Sequence, residues 1–271
     1  VADILKIARE LAADNYSGSA SIITKFLSAL TESQFSRAEF ERAFKTLITA
    51  HPEMAIIENA YRVLSKVPDE GLATAAQRYI RSLDEAPIKI AEFFSAELPD
   101  NAIVMTYSQS STIAKVILQL HKSGKLGGVI LSESRPAEEG KKFAKFLAEK
   151  GVRVTLTVDC ALGALMEGVD VVVIGADAVT DEYVVNKVGS LALVLLANYH
   201  DKPAYSLAST HKLVSRAQIQ KFAEGSQIWA DAPKGIIVQA PLFEKVPLAL
   251  LNGVVSERGF MGVQEIEMIL E

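Results

Sequence analysis

Three side chains able to do chemistry share one stretch, Val171 to Ser190: Asp177, Asn186 and Lys187. An aspartate can take or give a proton, or hold sugar hydroxyls. An amide orients an oxygen from either of its ends. A lysine ammonium holds phosphate as a point charge. The spacing gives these residues a place. Val171 to Ile174 is a short β-branched run, the pattern of a buried parallel strand. Gly175 lets the backbone turn after it. Asp177 then falls beyond the strand's C-terminal end, the edge at which open α/β sheets bind ligands. Thr180 to Glu182 reads as a polar turn, and Asn186 and Lys187 as loop residues before the helical run Leu191–Leu196. An aspartate after a strand also serves as a plain turn or helix cap.

A second group of polar residues lies upstream. Ile103 to Met105 reads as a strand, Thr106 to Thr112 (TYSQSST) as a hydroxyl-rich turn, and Ile113 to Leu120 as a helix capped by Ser110 or Ser111. Hydroxyls and amides at a helix start suit an anion. Arg135, in SESRP, suits a bidentate phosphate clamp. Near the amino terminus the loop Asn15 to Ser19 (NYSGS) offers glycine and hydroxyls that can wrap an anion.

These residues need a frame. Before residue 98 the apolar spacing is helical throughout, with a capping box at Ser36 and Glu39, and with Leu72–Leu83 and Ile88–Leu98 read as two helices broken near Pro87. From Asn101 strands alternate with helices: Gly128–Leu131, Glu139–Glu149, Val152–Val158, Val171–Ile174 and Pro203–Leu207 follow in turn. That alternation predicts a parallel sheet with helices on both faces. In the tail, Ile228–Trp229 and Gly235–Val238 read as short strands, and Pro241–Pro247 as a proline-bracketed connection. Trp229 and Phe243 read as large apolar anchors, for a subunit interface or for packing the tail on the sheet. The expected organisation is α/β, a helical domain over residues 1–98 followed by a parallel-sheet domain over 99–271.

Composition narrows the function. A net charge of −5 gives no bulk attraction for nucleic acid. A single cysteine, Cys160, leaves no disulfide framework or thiolate cluster, and reads as a small buried hydrophobe. The four histidines lack metal-ligand spacing, so no metal and no cofactor are expected. No run is long enough for a membrane span and no signal peptide shows, which points to the cytoplasm. The first strand is followed by neither a glycine-rich dinucleotide fingerprint nor a phosphate-loop lysine, against hydride transfer and nucleotide hydrolysis.

The motifs IGADAV, NKVGS and KPAYSLAS, with TYSQSST, SESRP and FEKVP, together resemble one family. It holds the alpha, beta and delta regulatory subunits of the exchange factor for translation initiation factor two. It also holds methylthioribose-1-phosphate and ribose-1,5-bisphosphate isomerases. The resemblance implies a Rossmann-like C-terminal domain, assembly into at least a homodimer, and a phosphorylated sugar or nucleotide as ligand, with a translation initiation factor as a further partner. It maps the isomerases' catalytic aspartate to Asp177 and their cysteine to Ser108, whose hydroxyl has no easily populated anion. Their phosphate-gripping Arg-Gly falls at Ser17-Gly18. Tyr107, Ser110, Ser111, Arg135, Asn186 and Lys187 complete the implied ligand set. Two functions follow: first a regulatory-subunit-like protein that binds its ligand without catalysis, and as the alternative an aldose–ketose isomerase acting on a ribose 1-phosphate-type substrate.

Overall fold

Apolar residues at helical spacing before residue 98 have one way to leave water, which is to pack helix on helix. In the computed structural model, which describes residues 3–14, 17–219 and 221–270, five helices do so. They are α1 (Ile4–Ala12), α2 (Ser19–Glu32), α3 (Arg37–Ala50), α4 (Ala55–Leu64) and α5 (Leu72–Ser95). Asn15 and Tyr16 of the NYSGS loop, and the outer ends of both expected domains, Val1 and Glu271, lie outside the described residues. Phe26, Phe40 and Phe44 are fully buried, with the Phe26 and Phe44 rings edge to face at 5.0 Å. Ser36 and Glu39 form the expected capping box at the start of α3.

The expected break at Pro87 does not occur. α5 runs 24 residues through it. An interior proline costs about 3 kcal/mol, but here both halves of the helix are buried. Leu72, Ala76, Tyr79 and Leu83 join the core of the helical region. Ile90, Ala91 and Phe94 join the core beneath the sheet. Burial of these side chains, at about 1.5–3 kcal/mol for each large one, outweighs the lost hydrogen bond.

The remaining elements, in chain order, are β1 (Ala102–Thr106), α6 (Ser111–Lys122), β2 (Leu126–Ser132), α7 (Glu139–Glu149), β3 (Val154–Thr157), β4 (Val171–Ile174), β5 (Ala178–Val179), β6 (Tyr183–Lys187), α8 (Ser190–Tyr199), β7 (Ala204–Leu207), β8 (Phe243–Pro247), β9 (Gly253–Ser256), β10 (Gly259–Met261) and α9 (Val263–Leu270). The main sheet has the order β10-β9-β7-β4-β1-β2-β3, parallel throughout except for β10. Alternation along β4 shows both faces covered. Val172 and Ile174 pack with Leu193 and Val194 of α8 on one side. Val171 and Val173 pack with α6 and α7 on the other. The protein is therefore α/β, a helical N-terminal region followed by a Rossmann-like sheet. Among the described residues no helix is long and apolar enough to cross a membrane.

Three expectations in the second half are corrected. Asn186 and Lys187 lie on a strand, not a loop: β6 pairs antiparallel with β5 and β8, and the expected proline-bracketed connection is β8 itself. Pro247 is tolerated because it ends the strand. Ile228–Trp229 and Gly235–Val238 form no strands, and Trp229 and Ile237 are 48% and 86% exposed. Such short runs, set among Pro233 and Gly235, are too brief and too interrupted to pair with a strand. Cys160 is exposed rather than buried, because it sits on a 3₁₀ segment, Asp159–Gly168, following the edge strand β3.

Candidate functional site

The chain runs outward from β1 to β2 and β3, then returns to lay β4 on β1's other side. The strand order thus reverses between β1 and β4, and the C-terminal ends of those two strands open a crevice. Residues from both ends line one cavity of about 520 Å³. The turn after β1 supplies Ser108, Ser110 and Ser111, and the turn after β4 supplies Ala176 and Asp177. Asn186 and Lys187 enter from β6, and Ser17, Gly18 and Ser19 from the start of α2.

Each of these groups is held by identifiable bonds. Ser108 has φ of +66°, in the left-handed region that a side chain adopts at a cost. Its amide donates to Ser134 Oγ at 2.9 Å and its hydroxyl to Glu139 Oε1 at 3.0 Å. Asp159 clamps the loop after β2 by accepting from the amides of Ser134 and Arg135, both at 2.8 Å. Ser110 caps α6, accepting from Ile113 N at 3.3 Å. The backbone of Asp177 is pinned on two sides: its amide donates to Val185 O at 2.8 Å, and its carbonyl accepts from Ala55 N at 3.1 Å. Asn186 Nδ2 donates to Ser190 Oγ at 2.8 Å. Gly175 packs closely on the next turn, since a Cβ there would lie 3.1 Å from the Ser110 side chain, which would have to give by a few tenths of an ångström.

Charges in the crevice are only partly neutralised. Lys187 Nζ pairs with Glu139 Oε1 at 2.8 Å. Lys212 is buried, donates to the Ala176 carbonyl and faces Asp177. Burial pushes the Asp177 carboxyl above the usual carboxylate range, against the opposing pull of Lys212 and a hydrogen bond from Ser19. Burial likewise pushes the Lys212 ammonium down, with Asp177 opposing. Both members of the pair are thus shifted toward their neutral forms. Lys221 Nζ lies 2.9 Å from His51 Nδ1 and 3.4 Å from Glu53 Oε1. Lys115 and Lys142 line the cavity from α6 and α7. Five lysines thus line the cavity, four of them facing a carboxylate (Lys187 with Glu139, Lys212 with Asp177, Lys221 with Glu53 and, at 2.6 Å, Lys115 with Asp84), and with the rim of hydroxyls they suit an oxygen-rich anion.

Of the residues singled out from sequence, Ser17, Gly18, Ser108, Ser110, Ser111, Asp177, Asn186 and Lys187 line the cavity. Tyr107 and Arg135 do not. The Tyr107 ring is buried against Gly189, and its hydroxyl is hydrogen-bonded with Asp159. Arg135 is exposed and turned away, donating to Glu138 Oε1 at 2.8 Å and to the Gln227 carbonyl at 3.0 Å. A carboxylate three residues on captures the guanidinium that was expected to clamp phosphate. Sequence reasoning missed Glu139, Lys212, Lys221, Lys115 and Lys142. Lys212 lies five residues beyond the end of β7, so the same strand-end rule that found Asp177 would have reached it.

Gly189 fixes Tyr107. Its φ is +104°, and an added Cβ would fall 2.4 Å from the tyrosine ring. Gly189→Ala is expected to cost roughly 1–3 kcal/mol through backbone strain and displacement of the ring, read as a lower midpoint in denaturant unfolding.

The sequence profile of the Initiation factor 2 subunit family matches residues 12–262. The ribose 1,5-bisphosphate isomerase of Methanocaldococcus jannaschii is 28% identical over 258 residues, covering 90% of this chain and 83% of that protein. Among solved structures, the Pyrococcus horikoshii translation initiation factor eIF-2B superposes with a TM-score of 0.83 at 23% identity, covering 95% of this chain and 96% of that one. The 5-methylthioribose 1-phosphate isomerase of the same organism gives 0.76 at 17% identity, over 98% and 88%. These two likenesses show the shared fold alone.

Proposed function

This chain belongs to the Initiation factor 2 subunit family, and from that premise we propose that it is an aldose–ketose isomerase acting on a ribose 1-phosphate-type sugar. One observation carries the reading: a carboxyl shifted toward its protonated form, Asp177, lines a lysine- and hydroxyl-rimmed cavity at the reversal of strand order. Opening a 1-phosphorylated furanose needs a proton delivered to the ring oxygen. A carboxyl that burial holds toward its protonated form is suited to deliver it. Lys187, with the hydroxyls and amides of Ser110 and Ser111 at the start of α6, would hold phosphate; that all three line the cavity supports this. Likeness to a ribose 1,5-bisphosphate isomerase along most of both chains supports the same substrate class.

The binding-only reading rests on Ser108. Its hydroxyl stands where the resemblance puts the isomerases' thiol, and a serine is a poor acid or base by itself. On that reading the cavity holds a sugar phosphate or nucleotide, and a translation factor is the partner. Self-association into at least a dimer belongs to both readings.

Incubation with ribose 1,5-bisphosphate and with methylthioribose 1-phosphate, followed by NMR, separates the two. Ketose formation is the expected result. A thermal shift with these compounds and no ketose would leave binding alone. No shift with any sugar phosphate or purine nucleotide would overturn both.

A further inference from the structure

Glu139 has no part in either reading so far, yet it is the group that Ser108 touches. It opens α7, where Gly140 packs so closely on the end of β2 that a Cβ would lie 1.8 Å from the Ser132 carbonyl. That contact drives the first turn of α7 into the crevice. Oε1 of Glu139 accepts from Ser108 Oγ at 3.0 Å and from Lys187 Nζ at 2.8 Å. Oε2 is buried with no hydrogen-bond partner among the described residues. A structural carboxylate would normally have both oxygens satisfied. This one keeps an open acceptor beside a hydroxyl in a ligand cavity.

We infer that Glu139 and Ser108 form a two-group proton relay, with Glu139 as the positioning and accepting residue that lets a serine do acid–base work. The inference rests on the isomerase reading above. In the reaction, the ring oxygen gains a proton as its bond to C1 breaks. C2 loses its hydrogen as a proton, and an enol forms between C1 and C2. C1 then gains a proton while the C2 hydroxyl gives one up, leaving a ketone at C2. Two protons are delivered and two removed, and nothing is oxidised or reduced overall. Asp177 serves the ring oxygen, and the carboxylate it becomes takes the proton from C2 and returns it to C1. The relay serves the other end: Ser108 Oγ takes the C2 hydroxyl proton as its own proton passes to Glu139 Oε1. The direction follows from chemistry, because the carboxylate of an ion pair only accepts, so the Ser108 hydrogen lies toward it. The 3.0 Å separation is within proton-transfer reach. Lys187 holds the carboxylate in place.

The test compares wild type, Glu139→Gln, Ser108→Ala, their double variant, and Ser108→Cys with and without Glu139→Gln, all on ribose 1,5-bisphosphate. Glutamine still accepts a hydrogen bond from Ser108 but takes no proton at neutral pH. It is expected to lower kcat about 100-fold with KM within a few-fold of wild type. Ser108→Ala should lose as much, and the double variant no more than either. A cysteine can ionise without help, so Ser108→Cys should restore turnover to the Glu139→Gln protein. Glu139→Gln keeping turnover within threefold would overturn the relay, as would additive losses or failure of the cysteine to rescue. If Glu139→Gln does not fold by thermal melt, the decision passes to Ser108→Ala, whose unchanged kcat would overturn the relay by itself. A wild-type protein that binds the sugar without converting it would overturn the isomerase reading and the relay with it; an active wild type with an active Glu139→Gln overturns the relay alone.

Discussion

Asp177→Asn is expected to lower kcat on ribose 1,5-bisphosphate by about 10³-fold, close to 4 kcal/mol of barrier, while KM changes little. Asparagine has nearly the same shape, and the residue's backbone bonds to Val185 and Ala55 do not involve the side chain. The amide can still accept from Ser19. What it loses is the proton. Single-turnover kinetics with NMR detection of the ketose measures the effect, and a loss expressed mainly in KM would mean that Asp177 only binds sugar.

The same substitution makes an opposite prediction for stability. Burial raises the Asp177 carboxyl above its ordinary value in the folded chain. The folded state therefore holds this proton more tightly than the unfolded state. Its contribution is largest in acid and is lost as pH rises from about 4 through the raised value. Asparagine carries no such dependence. The stability difference between Asp177→Asn and wild type should move in favour of the variant as pH rises across that window, measured by denaturant unfolding at several pH values. The activity of the wild type should fall as pH rises through the same raised value, because the acid that opens the ring is then ionised. An inactive variant that gains stability is the signature of a group kept for chemistry rather than for folding.

What the sequence reveals here depends on whether a signal is local. β4 and the aspartate beyond it are legible because four β-branched residues and a glycine are contiguous. α7 is legible to its ends because Phe143 and Leu147 mark one face of a helix. The placement of Asn186 and Lys187 on a strand is not legible, because β6 is completed by β8 some sixty residues later. Pro241 just before β8, and Lys245 and Pro247 within it, hide the alternation that marks a strand. Pro87 misleads for the same reason: its local cost is visible, and the two cores that offset it are not. The burial of Lys212 is not legible locally either, because the Ala176 carbonyl and Asp177 that meet it in the interior come from the end of another strand. Arg135 shows the converse. Its chemistry suited phosphate, but Glu138 lies nearer than the cavity.

Lys187→Met should weaken sugar-phosphate binding about 10- to 100-fold, the worth of one charge-assisted hydrogen bond, and should also destabilise the protein by about 3 kcal/mol. Methionine keeps the length and packing of the lysine stem, so the loss is of charge. Lys187 is buried and its ammonium is within 2.8 Å of Glu139 Oε1. Removing it leaves a mostly buried carboxylate with one bond, from Ser108, and a second oxygen that has none among the described residues. Breaking one side of such a pair costs about 3–5 kcal/mol; the lower end applies because the Glu139 side chain retains 17% exposure. A second change locates the source of that cost. Adding Glu139→Gln to Lys187→Met removes the stranded charge, so the double variant should be more stable than Lys187→Met alone, a coupling that a double-mutant cycle in denaturant measures directly. Binding should stay weak in both, because phosphate needs the ammonium whatever stands at 139. A double variant no more stable than the single would mean that water already solvates Glu139. The carboxylate and the ammonium would then act independently in the crevice, and the wall between the phosphate end and Ser108 would have no ion pair to hold it.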